Sequence, residues 1–186
     1  IFLFLAWRYG KNRVFWMIVV MASISLLLSE WGWRNKATAN FYLAPTRAWE
    51  LFAGSIAAFI VQKQGVQKSN PLALIGLLAV VFSIFFYDEA TPFPSVYALV
   101  PVIGVVLLVL YADKDTFVSK LLSTKVFVGI GLVSYSAYLW HQPLLTVILF
   151  HQYEIQYSII IQISFLLILI LLSVSTYFLI EKPART

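Results

Sequence analysis

A stripe of small and polar residues interrupts a long apolar run, residues 126–150, in the second half of the chain. A run of this length is enough for a membrane-spanning helix, which needs about 20 predominantly apolar residues. At helical spacing the stripe occupies one face and consists of Gly131, Ser134, Tyr138 and His141. An ionisable imidazole inside a span is costly unless it faces the bundle interior or a water-filled cavity, so His141 is the first candidate functional residue.

Pro143 lies two residues after His141 and strengthens this interpretation. Proline removes a backbone donor and crowds the carbonyl of Leu139, so we expect it to bend the helix or to free a carbonyl beside His141. The alternative is that His141 only hydrogen-bonds a neighbouring helix and that Pro143 only shapes the bundle. The residues by themselves leave both interpretations open.

Composition indicates the class of protein. Hydrophobic residues make up 61% of the 186 residues and charged residues only 11%, with a mean hydropathy of +0.89. A soluble domain of this size could not shield so much apolar surface from water. We therefore expect an all-α, polytopic transmembrane helical bundle. The chain starts at Ile1 inside an apolar stretch and without methionine, so we interpret it as a fragment cut within a helix.

The apolar runs predict six complete spans and a partial N-terminal one that ends near Trp7. The complete spans are predicted at residues 14–29, 45–62, 71–87, 95–111, 126–150 and 157–180. The stretch from Glu30 to Ala44 is predicted to be a loop with aromatic residues at the membrane interface. Residues 112–125 are predicted to be a polar loop, and with no repeat or linker we expect one domain.

The positive residues predict the orientation. Ten of the 13 Lys and Arg residues fall in alternate loops, and short loops rich in them stay on the cytoplasmic side. We therefore place this set and the C-terminus on the cytoplasmic side of a bacterial inner membrane. His141 then lies in the outer half of its helix. The ten residues are Arg8, Lys11, Arg13, Lys63, Lys68, Lys114, Lys120, Lys125, Lys182 and Arg185.

Charge and cysteine content narrow the function classes. The net charge of +5 is explained by topology, and no basic run with interleaved aromatics suggests a nucleic-acid partner. The chain has no cysteine and two histidines, so neither disulfides nor a protein-only metal site is expected.

A second unusual stretch opens the span predicted at residues 45–62. Arg47 and Glu50 are three residues apart and can pair on one helix face. A guanidinium is a planar fork suited to carboxylate, phosphate or pyrophosphate groups. The alternative is that Arg47 reaches to the interface, that Glu50 neutralises it, and that Trp49 anchors the helix at the headgroups.

Three stretches together resemble the membrane acyltransferase 3 family. The resemblance is carried by FYLAPTRAWELFAGSIAA, GLVSYSAYLWHQPLL and the closing YFLIEKPAR. It covers the whole chain, residues 1–186, as the C-terminal portion of one such transmembrane domain. Members of the family O-acylate lipopolysaccharide O-antigen, peptidoglycan and other extracytoplasmic glycans.

The resemblance implies an O-acyltransferase. It implies transfer of an acyl group, by analogy an acetyl group, from a cytoplasmic acyl-CoA such as acetyl-CoA to a hydroxyl of an extracytoplasmic glycan. The donor is a substrate, and no bound cofactor is implied. The family's main catalytic histidine precedes this segment, so the fragment is expected to be inactive alone. Membrane lipids are the remaining expected partner, and some relatives carry a further extracytoplasmic domain after this point.

The family's elements match this sequence at three places. The matched residues are Arg47, Trp49 and Glu50 for Arg-x-Trp-Glu, then Ser134, Tyr135, Tyr138, Trp140, His141 and Pro143, and finally Glu181 and Pro183 for the terminal Glu-x-Pro. Substrate-binding roles are expected for Arg47, Trp49, Glu50, Ser134 and Tyr135. Structural roles are expected for Pro143, Glu181 and Pro183.

Acyl transfer to a hydroxyl needs a base for that hydroxyl and donors for the developing oxyanion. Our hypothesis is that His141 and Tyr138 line the transfer cavity in support of the upstream histidine, while Arg47 with Glu50 fixes its outer mouth. A secondary transporter or flippase with His141, Arg47 and Glu50 in a solute path is the alternative. A purely structural membrane anchor is the third interpretation.

Two smaller expectations concern packing. Gly129 and Gly131 are expected to permit close helix approach rather than to bind a ligand. Glu181 lies at a helix C-terminus, where a negative charge is mildly unfavourable, so it is expected to have a specific partner, with Lys182 and Arg185 as nearby candidates.

Overall fold

The computed structural model describes residues 10–88, 91–151 and 159–184. They form two compact units, one within Ile1–Lys120 and one within Leu121–Thr186. Every regular element in this part of the chain is a helix, which confirms the all-α class. The predicted partial span ahead of Arg8, and Arg185 itself, lie outside the described residues.

The first unit contains four long helices. They are α1 (Lys11–Tyr42), α2 (Ala44–Gln64), α3 (Asn70–Phe86) and α4 (Leu99–Tyr111), the last preceded by a 3₁₀ turn at Val96–Ala98. Prolines lie in the first turns of α2 and α3, where a missing backbone N–H costs nothing. Gly65, with φ of 72°, ends α2. The predicted helices at 45–62 and 71–87 are confirmed.

The predicted loop from Glu30 to Ala44 is wrong. Helix α1 continues through it to Tyr42 and changes direction at Lys36, where φ is −150° and ψ is 67°. Polar side chains in this stretch support the helix: Arg34 Nη2 lies 2.7 Å from Glu30 Oε1 at i,i+4 spacing. Asn35 likewise donates to the carbonyl of Trp31, one turn back, at 2.7 Å.

Residues 37–42 fold back against the first arm of α1. In one straight helix Asn40 would lie about 16 Å along the axis from Ser29, at 1.5 Å per residue. Instead Asn40 Nδ2 donates to Ser29 O at 3.0 Å. A Cβ on Gly32 would lie 2.8 Å from Asn40 Cγ, so the close approach depends on glycine at this position.

Helix α1 packs on α2, α2 on α4, and α3 on α4. The core of the α1–α2 contact is Val14 and Ile18, both 1% exposed, against Phe52, Ile56 and Phe59 of α2. In a membrane, the van der Waals packing of such side chains drives the association of helices.

Helices α3 and α4 touch backbone to backbone at Gly76 and Gly104. A Cβ on Gly76 would lie 2.7 Å from Gly104 O, and one on Gly104 would lie 2.8 Å from Gly76 O. The predicted close approach at Gly129 and Gly131 is wrong, since a Cβ on either would meet no heavy atom within 4 Å. Small residues thus serve close packing on α3 and α4 instead.

After α5 (Phe117–Leu122), the second unit contains α6 (Lys125–His151), α7 (Ile159–Thr176), a π-helical segment at Tyr177–Glu181 and a final helical turn α8 (Lys182–Ala184). The predicted helix at 126–150 is confirmed. It runs without interruption through Pro143. The predicted polar loop at 112–125 contains α5, and the last apolar run ends in the π segment rather than in regular α-helix.

Two helical stretches of the described residues are long and apolar enough to cross a membrane, Lys11–Tyr42 and Gln162–Ala184. Two shorter apolar helices are Asn70–Phe86 and Val96–Tyr111. The described residues therefore contain two stretches that meet this length and composition, whereas the sequence predicted six complete spans.

Polar content and length explain the difference. Helix α6 has 27 residues, but several serines and tyrosines and His141 are among them. Helix α2 has 21 residues, but Arg47, Glu50 and Lys63 are among them. Helix α3 is strongly apolar but has only 17 residues, somewhat short of the roughly 20 that span a bilayer. Six spans remain a prediction from the sequence pattern.

The Gly76–Gly104 contact predicts a position-specific effect of alanine. Gly104→Ala should destabilise the protein by about 1–3 kcal/mol, because the new Cβ meets the backbone of α3. Gly54→Ala on α2 is the matched control: its Cβ meets no heavy atom within 4 Å, and alanine favours a helix. Thermal unfolding of the full-length protein in detergent, followed by circular dichroism, checks this. Equal melting temperatures for both variants would contradict the packing.

Candidate functional site

The predicted site residues divide between the two units. The first unit holds Arg47, Trp49 and Glu50 on α2. The second unit holds the residues of α6 and of the C-terminal segment. Those residues are Ser134, Tyr135, Tyr138, His141, Pro143, Glu181 and Pro183.

The ring of His141 lies against the carbonyl of Tyr138. His141 Nδ1 is 2.5 Å from Tyr138 O, and the two ring centroids are 5.3 Å apart. A carbonyl oxygen only accepts hydrogen bonds, so Nδ1 carries the proton in this contact. In the neutral imidazole Nε2 then keeps a lone pair, which is the form a general base needs.

Helix α6 has two chemically different sides. Successive residues are rotated by about 100°, so Ser136 and Trp140 lie opposite the stripe that contains Ser134, Tyr138 and His141. Ser136 is 1% exposed, whereas Tyr138 is 69% exposed. The structure therefore places the predicted stripe on the open side of α6 and an anchoring pair on the packed side.

The anchoring pair of α6 binds the C-terminal segment through side chains. Ser136 Oγ donates to Glu181 Oε2 at 3.0 Å. One turn along α6, Trp140 Nε1 donates to Thr176 Oγ1 at 2.9 Å. Glu181 thus has the specific partner that its position at a helix end predicted, and that partner is Ser136.

The π-helical segment brings Thr176 and Glu181 to one face. Residues five apart are rotated by about 140° in an α-helix, but a π-helix joins residues five apart by hydrogen bonds. The Lys182 N–H donates to Tyr177 O, five residues back, as this geometry requires. Pro183 has no N–H to continue the ordinary ladder. The π-helical geometry, rather than regular α-helix, therefore accompanies the Glu-x-Pro ending, whose structural role stays a prediction.

In the first unit the predicted pairing of Arg47 with Glu50 is confirmed. Arg47 Nη2 lies 3.7 Å from Glu50 Oε2, longer than a hydrogen bond. The guanidinium carbon is 5.5 Å from the ring centroid of Phe41, a cation–π distance. The Arg47 side chain is 46% exposed, so its planar fork is accessible from outside the unit.

The Ser25 side chain of α1 makes two hydrogen bonds to the backbone in the first turns of α2. Its hydroxyl donates to Pro45 O at 2.5 Å and accepts from the Trp49 N–H at 3.0 Å. The hydroxyl therefore inserts into the backbone link between residues 45 and 49. This contact fixes Trp49, which is 3% exposed, and with it the rotation of Arg47 and Glu50 about the α2 axis.

Two polar atoms beside the ion pair are buried without a hydrogen-bond partner among the described residues. They are Trp49 Nε1 and Glu50 Oε1. Glu50 also borders an apolar groove of about 260 Å³ lined by α2 and α4. Buried polar atoms are normally paired, so this end of α2 retains one unused donor and one unused acceptor. In the described part of the chain no three His, Asp or Glu residues group as a metal site would require.

Sequence reasoning missed three residues that hold the site. Ser25, Ser136 and Thr176 position the predicted residues through contacts across 24, 45 and 36 positions of the chain. A local pattern cannot reveal such contacts. The available signal was that Ser136 and Trp140 are four apart, on the side of α6 opposite the stripe.

Several known proteins to which the chain is similar are named as O-acetyltransferases. It is 29% identical over 117 residues to the peptidoglycan O-acetyltransferase OatA of Listeria monocytogenes, covering 57% of this chain and 19% of the relative. It is 25% identical over 179 residues to the O-acetyltransferase OatA of Staphylococcus aureus, covering 90% of this chain and 30% of the relative.

The similarity extends along nearly the whole chain. A further Staphylococcus aureus protein, whose name gives O-acetyltransferase activity as a prediction, is 24% identical over 197 aligned positions, covering 96% of this chain. The chain spans less than a third of the length of these curated relatives. No protein-family model matches the chain. No solved structure matches it.

The hydrogen bond between Ser136 and Glu181 predicts unequal effects at two neighbouring serines. Ser136→Ala should destabilise the protein by about 1–3 kcal/mol, because the buried hydroxyl of Ser136 and its part-buried hydrogen bond to the Glu181 carboxylate are lost. Ser134→Ala removes only a bond to the carbonyl of Gly131 at the exposed surface and should cost less than about 0.5 kcal/mol. Urea unfolding of the detergent-solubilised full-length protein measures both. The structure would be contradicted if Ser134→Ala were the more damaging change.

Proposed function

We propose that this chain is part of a membrane-bound O-acetyltransferase that acts on a cell-wall glycan. The observation that carries the proposal is the similarity to O-acetyltransferases along 90% or more of the chain. The name of the Listeria relative makes peptidoglycan the first acceptor to test. Lipopolysaccharide O-antigen is the acceptor that the family resemblance adds.

The proposed reaction moves an acetyl group from a cytoplasmic acyl-CoA to a hydroxyl outside the membrane. The thioester carbon is attacked by the acceptor hydroxyl, directly or through an acyl intermediate, and the CoA thiol leaves with a proton. A base must take the proton of the hydroxyl, and donors must stabilise the oxyanion. His141 is proposed to assist the first task through Nε2, since its Nδ1 faces the Tyr138 carbonyl. The main catalytic histidine is proposed to lie upstream, with His141 and Tyr138 in support.

Arg47 is proposed to bind an anionic or oxyanionic part of a substrate. Its guanidinium is close to two fixed groups, the Phe41 ring and the Glu50 carboxylate, which limit its rotamers. A rigid planar fork loses less entropy when it forms paired hydrogen bonds. The indole Nε1–H of Trp49 and Oε1 of Glu50, which have no hydrogen-bond partner among the described residues, lie on the same turn of α2.

The proposed setting is a six-span segment of an inner-membrane bundle. The alternating Lys and Arg content of the loops supports a cytoplasmic C-terminus at Thr186. The two stretches long enough to cross a membrane, with the two shorter apolar helices, support part of this arrangement. The remaining spans would come from α2 and α6, whose polar groups would face protein or water rather than lipid.

Replacing His141 by alanine should abolish acetylation. Mass spectrometry of peptidoglycan from cells making the full-length protein should show the acetyl mass increment with wild type and a loss of at least about a hundredfold with His141→Ala, a typical general-base effect. Gln142→Ala is the matched control, one residue away on the exposed surface of the same helix. It should keep the increment at equal membrane abundance.

The result of this experiment separates the proposals. An increment that survives in His141→Ala would exclude His141 from the working cavity. If wild type changed neither peptidoglycan nor O-antigen, the transferase proposal would fail. Transport assays on the same strains would then test the solute-path alternative.

Arg47 should be needed for acetylation in a way that an ordinary surface arginine is not. Arg47→Gln should lower acetylation at least about tenfold, because a charge-assisted contact to substrate is worth about 1.5–3 kcal/mol. The matched control is Arg34→Gln, which breaks the exposed Arg34–Glu30 pair on α1. Exposed pairs contribute about 0–1 kcal/mol to stability, so Arg34→Gln should leave acetylation unchanged.

The contrast between the two arginines tests the interface-anchor alternative. An anchoring role would require only a cation, so Arg47→Lys would then restore full acetylation. A substrate-binding role needs the planar fork, so Arg47→Lys should remain impaired. Full activity of Arg47→Lys would refute substrate binding by Arg47.

A further inference from the structure

A cavity of about 460 Å³ lies between the first turn of α1 and the last turn of α2. Its volume falls in the range of small-molecule sites, about 300–1,000 Å³. Both helix ends are at the same end of the antiparallel α1–α2 pair. This cavity is far along α2 from Arg47 and Glu50, so it is separate from the residues to which the proposed reaction assigns roles.

The cavity combines cationic and apolar walls. Lys11 from α1 and Lys63 from α2 supply the charge, and none of the eight residues that line the cavity is acidic. Phe15 and Phe59 supply the apolar wall, with ring centroids 6.1 Å apart in an edge-to-face contact. One ligand chemistry fits both walls: a phosphate attached to an apolar chain.

A second cavity of about 590 Å³ adjoins the first along α1 and shares Asn12 with it. Arg13 supplies a third cation there, and Trp16 and Val20, 65% and 54% exposed, supply apolar surface below it. Along α1 the order is therefore cations first, then apolar side chains. A phospholipid in a bilayer has the same order, headgroup phosphate first and acyl chain below.

We propose that the α1–α2 end binds an anionic phospholipid of the cytoplasmic leaflet, with the headgroup phosphate between Lys11 and Lys63 and an acyl chain along Phe15 and Phe59. Basic pockets between membrane helices on the cytoplasmic side are known to bind anionic headgroups. The proposal rests on the membrane orientation proposed above, which places Lys11 and Lys63 at the cytoplasmic surface. It does not depend on the acetyl-transfer reaction.

The test is a titration of the full-length protein in neutral detergent with fluorescent phosphatidylglycerol, and separately with fluorescent phosphatidylcholine. We expect tighter binding of phosphatidylglycerol by wild type. The double variant Lys11→Gln/Lys63→Gln should weaken this binding about 25-fold, since each lysine near an anionic headgroup contributes about fivefold. The matched control Lys68→Gln/Lys114→Gln removes the same charge outside the cavity and should keep wild-type affinity.

Three results would overturn the proposal. Equal affinity of wild type for both lipids would show that no anionic headgroup is recognised. Equal weakening in both double variants would show general surface attraction instead of a site. Displacement of labelled phosphatidylglycerol by micromolar coenzyme A, lost in Lys11→Gln/Lys63→Gln, would assign the cavity to the phosphates of the acyl donor.

The lipid titration and the acetylation assay test the two proposals independently, so either proposal can be refuted without the other. Glycan mass spectrometry of Lys11→Gln/Lys63→Gln cells reports whether the reaction continues. Loss of acetylation in His141→Ala together with wild-type lipid binding in that variant would show that the two sites are separate. A normal circular dichroism spectrum for the double variant verifies that exposed-end substitutions leave the helices folded.

Discussion

The side-chain amide of Asn40 holds three parts of the first unit together. It is 2% exposed, and its Nδ2 donates to Ser29 O in the first arm of α1 and to Pro94 O in the segment before α4. The backbone carbonyl of Asn40 accepts a hydrogen bond from Thr46 Oγ1 at the start of α2. The amide nitrogen thus uses both of its donors, and an unpaired buried donor would cost about 1–3 kcal/mol, whereas Asn40 Oδ1 has no hydrogen-bond partner among the described residues. The entry of α2 therefore depends on the fold-back of α1.

In the second unit, hydrogen bonds from polar side chains likewise join separate segments, and one of the groups involved is charged. Ser136 and Trp140 each give a hydrogen bond to the C-terminal segment, and one acceptor is the Glu181 carboxylate. Apolar contacts between α6 and α7 leave rotation about the helix axes poorly defined, because Leu, Ile and Val surfaces resemble one another. The two directional bonds fix it. In both units, polar side chains set the orientation of helices that apolar burial only brings together.

The sequence predicted the helices wherever a local rule was sufficient. Prolines at positions 45 and 71 marked helix starts, and the spacing of Arg47 and Glu50 predicted their pairing. The prediction was wrong at residues 30–44, where aromatic residues typical of the membrane interface suggested a loop, whereas charged and amide side chains make hydrogen bonds within the helix. The roles of His141, Arg47 and the upstream histidine remain predictions.

Contacts between distant residues could not be predicted from local patterns. Glu181 clearly needed a partner, but the sequence offered Lys182 and Arg185 before Ser136, which is 45 positions away. The π segment was equally hidden, since a proline two residues after a glutamate is compatible with several helix endings. The Ser25 insertion into α2 depends on the register of two helices, which apolar spacing alone does not determine.

The two sides of α6 place a constraint on its surroundings. The anchoring residues Ser136 and Trp140 face the C-terminal segment, so Tyr138 and His141 necessarily face away from it. In a bilayer an imidazole on a lipid-facing side would be costly, whereas one facing protein or a water-filled cavity is tolerated. The stripe must therefore be covered by other helices or by a wet cavity when the protein is in a membrane. The residues that fix α6 thus decide which of its polar groups are available for chemistry.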